Sequence, residues 1–388
     1  MDSIFINRKI EKYIGDILPY FPVLTITGPR QSGKTTLIKS LFLDYQYFSM
    51  ENIDTLSYAI SDPRGFLSSS QKMIIDEVQN APALLSYIQG IVDEDNDRKF
   101  ILSGSSQLLM LKHVTQSLAG RSAIIELMPL SFREIENSIS NTDLNTLIYK
   151  GFYPANYAQK NKPEYFYPNY VKTYIERDVR NILNITDLHR FQMFMKLCAG
   201  RIGSLFNASE LSNEVGVSVN TIKSWLDVLQ TSYIVTLLQP YYDNIGKRLV
   251  KTPKLYFYDT GLACYLLDIE KPEQLSHDKM KGHLFENLIV SEAIKHQLNN
   301  GKNNNLFFYR DSNNNEVDLL QVKNGNFNAI EIKSAQTFDT EFLKGINAFT
   351  KVFGNRVSSK NIVYSGDYEN NGTEFNLLNY RNINGILD

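Results

Sequence analysis

Short apolar runs alternating with longer amphipathic stretches mark the first third of the chain. Residues 23–27 (VLTIT), 45–49, 72–76, 99–103 and 123–127 read as five buried strands, because near-continuous apolar runs suit strands covered on both faces. The stretches between them are long enough for crossover helices, so the pattern predicts a parallel sheet layered by helices, an α/β nucleotide-fold pattern.

The alternation then changes. Residues 150–190 begin with proline-punctuated loops and turn into an amphipathic helix near residues 170–183, which reads as a join between domains. The stretch NASELSNEVGVSVNTIKSWLDVLQTSYIV predicts a short helix from Ala208, a turn at Gly216 and a second helix opened by Ser218, a helix-turn-helix. Two strands around a polar, basic tip follow it and read as a wing. Further on, EVDLLQVKNGNFNAIEIKSA predicts a β-hairpin turning at Asn324-Gly325, the pair a type I′ turn prefers. That turn pairs Lys323 with Asn326 and sets Asp318 opposite Glu331. Period-two alternation then places Glu316, Asp318, Glu331 and Lys333 on one face. Residues 299–315, rich in asparagine, read as polar loop. The expected division is 1–140, 141–190, 191–272 and 273–388.

Composition bounds what these elements do. A chain of 388 residues exceeds one ordinary core, and 43% apolar content with 23 Tyr and 22 Phe excludes wholesale disorder. No window reaches the ~20 apolar residues of a membrane span, and the start lacks a secretory signal. The expectation is a cytoplasmic protein without a membrane partner. Cys198 and Cys264 show neither a metal-like spacing nor a disulfide framework. The net charge of -2 argues against nonspecific polyanion binding by the whole molecule. Residues 190–257, however, hold eight basic and four acidic side chains.

The candidate chemistry starts at the first strand, which runs into Gly28, Pro29, Arg30, Gln31, Ser32, Gly33, Lys34, Thr35 and Thr36 and then an apolar-faced helix. Strand, glycine loop and helix is the context of a P-loop. Unpaired N–H groups at a helix N-terminus and two glycines let the main chain wrap phosphates. Lys34 is then suited to the β- and γ-phosphates of ATP, and the Thr35 hydroxyl to Mg²⁺. The third strand ends in Asp76 and Glu77, suited to hold Mg²⁺ through water and to activate the attacking water. Ser103 to Ser106, at the end of the fourth strand, form a polar edge in which Ser105 is a candidate sensor of the γ-phosphate. Arg121 either supplies cationic charge to the transition state, from this subunit or a neighbour, or pairs with a surface acid. Adenine and guanine are not distinguished by these residues.

Two further sites are expected. Opposed carboxylates at Asp318 and Glu331 repel unless a cation lies between them, so a metal site for Mg²⁺ or Mn²⁺ is predicted there, with Glu286 completing it and Lys333 positioning a water; a solvated ion-pair cluster is the alternative. If the helix-turn-helix docks DNA, Val219, Asn220, Thr221, Lys223 and Ser224 face the major groove, with Lys247, Arg248, Lys251 and Lys254 near the backbone. Packing against neighbouring domains is the alternative.

The motifs GPRQSGKTTL, IIDEVQ, LSGSS, LAGR, YIERDVRNI, DNIGKRLVKTPKLYFYDTGL, GHLFEN, EVDLL and EIKSA together resemble a large family of prokaryotic AAA-type ATPases with a C-terminal domain of unknown function. The resemblance runs along nearly the whole chain. It implies an AAA-type P-loop ATPase core, a winged helix and a domain similar to the PD-(D/E)XK nuclease fold. Carried over, nucleotide residues are Gly28, Gly33, Lys34, Thr35, Asp76 and Glu77, and nuclease-like residues are Glu286, Asp318, Glu331 and Lys333. AAA-type resemblance also implies rings or smaller homo-oligomers. Two functions follow as expectations: an ATP-hydrolysing machine acting on DNA with a metal-dependent nuclease domain, or a noncatalytic nucleotide switch whose later domains bind a protein partner.

Overall fold

The computed structural model describes residues 5–95, 97–104, 117–139, 142–158, 161–175, 187–241 and 251–388. The five expected strands form to within one residue of their predicted ends, as β1 (Val23–Thr27), β2 (Gln46–Ser49), β3 (Lys72–Asp76), β4 (Lys99–Ser103) and β5 (Ser122–Glu126). All are parallel, in the order β2-β3-β4-β1-β5. One face is covered by a cluster including Phe66, Met73, Ile88 and Phe100, with Leu84–Glu94 as helix α2. The other is covered by Ile10, Leu24, Ile74 and Ile125 with Leu37 and Ile38 of α1 (Lys34–Leu41). The order matters for chemistry: β4 lies between β1 and β3, so three loops emerge side by side at the carboxyl edge of the sheet.

From Leu130 to Leu387 a single apolar core, including Phe152, Trp225, Tyr256, Phe285 and Leu319, crosses the boundaries expected near residues 190 and 272. Within it stand α3 (Ala208–Val215) and α4 (Val219–Thr231). Asn207 caps α3 by accepting from Ser209 and Glu210 N–H, Gly216 makes the turn at φ 73°, and Ser218 caps α4 by accepting from Thr221 N–H. The two strands expected to form a wing, β6 (Val235–Leu238) and β7 (Lys254–Phe257), are antiparallel. The wing tip, with Lys247 and Arg248, lies outside the described residues. Of the predicted 170–183 helix, Tyr170 ends the helix Pro163–Tyr170 and residues 171–175 continue as a wider turn; 176–186 lie outside the described residues.

The last third is a mixed six-stranded sheet, ordered β12-β13-β11-β10-β9-β8, formed by Leu306–Arg310 (β8), Glu316–Lys323 (β9), Asn326–Lys333 (β10), Val357–Tyr364 (β11), Asn370–Asn371 (β12) and Asn376–Asn379 (β13). Helix α5 (Lys281–Asn299) packs on the side of the long shared core, and α6 (Lys344–Phe353) against Tyr309 and Phe327 in a smaller cluster. Asn324 and Gly325 both take positive φ, 50° and 80°, as a type I′ turn requires. The β9–β10 register is the expected one from Asn326↔Lys323 to Ile330↔Leu319. Beyond it the strands open, and the Asp318 carboxylate accepts from Ile332 N–H at 2.9 Å. The segment after β6 joins this sheet directly: Tyr241 N–H donates to the Phe308 carbonyl at 2.7 Å.

Candidate functional site

The carboxyl edge of the first sheet gathers the P-loop residues. Gly28 has φ 143°, and a Cβ there would lie 2.2 Å from the Leu127 carbonyl oxygen, so only glycine lets the chain leave β1 this close to β5. Lys34 is buried, and its ammonium donates to the carbonyls of Gly28 and Pro29 at 2.9 Å each. Ser32 is fully buried, yet its hydroxyl finds no hydrogen-bond partner among the described residues. An orphaned buried hydroxyl in a loop whose carbonyls also hold the buried lysine is an arrangement that suits an oxygen-rich ligand. Gln31 is exposed and Gly33 has φ 94° at the start of α1.

Asp76 is the hub. Its carboxylate accepts from Thr35 Oγ1 at 2.9 Å, from Tyr47 OH at 2.8 Å, from Glu77 N–H at 3.1 Å and from Ser103 Oγ. Thr35 Oγ1 and Asp76 are therefore adjacent oxygens facing the loop, the donor chemistry a hard divalent cation takes. Glu77 stands in the left-handed region at φ 54° and accepts from Gln79 Nε2. Strain at a bulky residue beside the hub is of the kind found where a side chain is aimed for use. Ser103 touches Asp76; Ser105, the candidate sensor, lies outside the described residues.

Several groups that sequence reasoning missed hold this edge. Arg8 donates to the Ser32 carbonyl and the Met128 carbonyl at 2.7 Å each, and pairs with Glu134 at 3.0 Å. Burial would raise the Glu134 carboxyl, but the Arg8 charge and hydrogen bonds from Ser131 and Lys9 hold it below the usual carboxylate range. A cavity of about 170 Å³, lined by Phe5, Ile6, Thr36, Leu37 and Pro154, opens beside Gly33. Tyr170 OH lies 3.4 Å from the Arg30 carbonyl, and Tyr233 reaches Thr27 at the foot of the loop.

Arg121 is not part of this gathering. It precedes β5, and its carbonyl accepts from Val23 N–H at the opposite edge of the sheet from Gly28. A five-residue strand puts it roughly 17 Å from the loop. Its guanidinium grips Asp93 on α2 through two bonds, at 2.5 and 2.8 Å. Of the two roles expected within its own subunit, this is the surface pair.

The second gathering is in the C-terminal third, where Glu286 of α5, Asp318, Glu331 and Lys333 lie close together although the strand pairing stops before Asp318 and Glu331. The cations differ from expectation. Lys254 of β7, 2% exposed, lies 3.0 Å from Glu286 and 2.6 Å from Glu316. Lys333 lies 2.6 Å from Glu331 and 3.5 Å from Asp318. Tyr256 OH donates to Glu286 at 2.5 Å. Among the described residues no three carboxylate, histidine or cysteine side chains come together so as to hold a metal ion. In the structure these side chains form an ion-pair network, with the ammonium groups of Lys254 and Lys333 set among the carboxylates. Burial, with Asp318 beside it, pushes the Glu331 carboxyl up to about 8 despite Lys333. Burial likewise raises Glu286, with Lys254 opposing.

Four of the basic side chains described around the helix-turn-helix, Arg190, Lys196, Arg201 and Lys254, pair with this chain's own acids. Lys254, expected near a DNA backbone, is sealed in the carboxylate network. Arg201 pairs with Glu210 and Glu214, Lys196 with Asp268 and Arg190 with Asp187. Asn220, Lys223 and Ser224 are exposed on α4 as expected, and Val219 and Thr221 half-buried, but Asp227 shares the exposed surface. Lys223 and Lys251 remain as exposed lysines of this region.

Residues 20–136 match the model of an AAA domain. Residues 141–273 and 281–382 match two domains of unknown function, DUF8612 and DUF4143. An uncharacterized protein of Mycobacterium tuberculosis is 29% identical over 323 residues, covering 81% of this chain and 71% of its own. Another, from Methanocaldococcus jannaschii, is 24% identical over 359 residues, covering 82% and 77%. Among solved structures, the Walker-type ATPase PABY2304 of Pyrococcus abyssi shares 16% identity at a TM-score of 0.44, over 68% of this chain and 96% of that one. The N-terminal domain is an AAA-type P-loop domain. No helix among the described residues is long and apolar enough to cross a membrane.

Proposed function

We propose that the protein binds Mg²⁺-ATP at the carboxyl edge of its first sheet, hydrolyses it, and uses the nucleotide state to shift the helix-turn-helix and C-terminal body that bind a protein partner. The observation that carries this reading is the convergence of Lys34, Thr35 and Asp76 around a loop with an orphaned, fully buried Ser32 hydroxyl. Lys34 exchanges the Gly28 and Pro29 carbonyls for phosphate oxygens, and main-chain N–H groups at the start of α1 take the remaining charge. Thr35 and Asp76 would hold Mg²⁺, which when bound neutralises charge between the outer phosphates. Glu77 takes a proton from the attacking water, with Ser103 keeping the Asp76 carboxylate in place. The cavity beside Gly33 receives the base, with Arg8 fixing the loop that borders it.

DNA action is the weaker reading, since Lys254, expected near the backbone, is sealed against Glu286 and Glu316, and Asp227 shares the exposed surface with Lys223. The C-terminal cluster serves as a joint between wing and sheet. The direct test is turnover: Glu77→Gln should retain Mg²⁺-ATP binding and lose phosphate release by roughly a hundredfold or more. Unchanged turnover would remove Glu77 from the mechanism. Salt-sensitive DNA binding by the full chain would restore the DNA reading.

A further inference from the structure

Helix α4 ends in a way that sequence preference does not explain. Tyr233 stands just past it in the left-handed region, φ 57°, with its N–H on the Gln230 carbonyl and the next N–H on Leu229. That place normally falls to glycine, because a Cβ is penalised there. The chain instead puts a tyrosine there that is 1% exposed, and its hydroxyl does not stay within the helical domain. It lies 2.7 Å from Thr27 Oγ1 and donates to Glu126 Oε1 at 3.1 Å. Thr27 and Glu126 are register partners, the last residues of β1 and β5, and Thr27 directly precedes Gly28. A strained position is thus kept by a side chain whose polar end grips the root of the P-loop.

The loop has a reason to move. Lys34 is held by the carbonyls of Gly28 and Pro29, and an anionic ligand competes for the same ammonium. Binding therefore frees two carbonyls in the two residues after Thr27. A difference in contacts between two states is what a ligand needs to shift an equilibrium.

We infer that Tyr233 is a positioning residue that ties phosphate occupancy of the P-loop to the orientation of α4. The inference rests on the nucleotide reading above. The tether is short: two hydrogen bonds, one aromatic ring and the rigid last turn of α4. Tyr258 braces the ring edge-on at 6.3 Å.

Trp225, the one tryptophan of the chain, lies on α4 against Phe191 and Phe194 and reports on that helix. The full chain is titrated with a slowly hydrolysed ATP analogue and Mg²⁺, following Trp225 emission and, in parallel, heat. In the wild type, emission should change with the same midpoint as the heat. Tyr233→Phe keeps the ring and the backbone strain but loses the hydroxyl; it should still bind by calorimetry while the emission change falls at least several-fold. Thr27→Val should do the same, Thr27→Ser should restore the change, and the Tyr233→Phe/Thr27→Val double variant should lose no more than either alone. A full emission change in Tyr233→Phe, or binding heat with silent Trp225 in the wild type, would overturn the inference. Absence of binding heat in the folded wild type would instead sink the nucleotide reading beneath it.

Discussion

Two polar gatherings in this molecule look alike in sequence and differ in what they leave unfinished. At the P-loop edge, Lys34 rests on carbonyls of its own loop and the Ser32 hydroxyl has no partner among the described residues. In the C-terminal cluster, four carboxylates meet Lys254 and Lys333 at 2.6 to 3.5 Å. On the reading proposed above, the first exchanges contacts of its own loop for those of a ligand; the second balances most of its charge from within. On that reading, buried lysine is a ligand-binding group in one case and a joint between β7 and the C-terminal sheet in the other. The difference is visible only in what each ammonium touches.

Substitutions at the two lysines should sharpen that contrast most. Lys254→Ala removes the cation paired with Glu286 and the nearer of two paired with Glu316, and should cost about 3–5 kcal/mol of stability, measured by denaturant unfolding. Lys34→Ala should change stability far less. Equal losses at both positions would erase the distinction. Next, Gly28→Ala drives a Cβ toward the Leu127 carbonyl and should cost about 1–3 kcal/mol, while weakening nucleotide binding.

A smaller effect is expected from pH. Glu331 ordinarily titrates near 4.5 and is pushed up to about 8 in the fold. The folded state therefore holds this proton more tightly than the unfolded chain. Stability it contributes is fully present below about pH 4.5 and is lost as pH rises through about 8. Glu331→Gln should flatten the fall in melting temperature across that window. An unaltered slope would mean the cluster carries its charge differently. The smallest effect is Ser218→Ala, which removes the α4 cap and should cost about 1 kcal/mol without touching ATP binding.

Local signals were readable in the sequence wherever periodicity or turn chemistry decided the outcome. The five strands, the caps at Asn207 and Ser218, the turn at Gly216 and the Lys323↔Asn326 register follow from alternation, side-chain capping and the preference of Asn-Gly for positive φ. P-loop spacing likewise brought Lys34, Thr35 and Asp76 into view. Arg121 was left open between a catalytic charge and a surface pair although its place was readable: a residue that enters a parallel strand lies at the edge away from the loop that leaves β1. What the sequence could not display was contact across long separations. Lys254 sits in a basic stretch, so composition assigned it to solvent and phosphate, whereas folding places it against Glu286 and Glu316. Arg8 and Tyr233 belong to no motif. Only the unusual absence of glycine after α4 hinted that Tyr233 was retained for its side chain.

Titration calorimetry with Mg²⁺-ATP tests the central claim most directly. Wild-type protein should release or absorb binding heat with one site per chain, and folded Lys34→Ala should bind at least about a hundredfold more weakly, the loss of charge-assisted contacts to phosphate. Equal binding by both proteins, or none by folded wild type, would contradict the account.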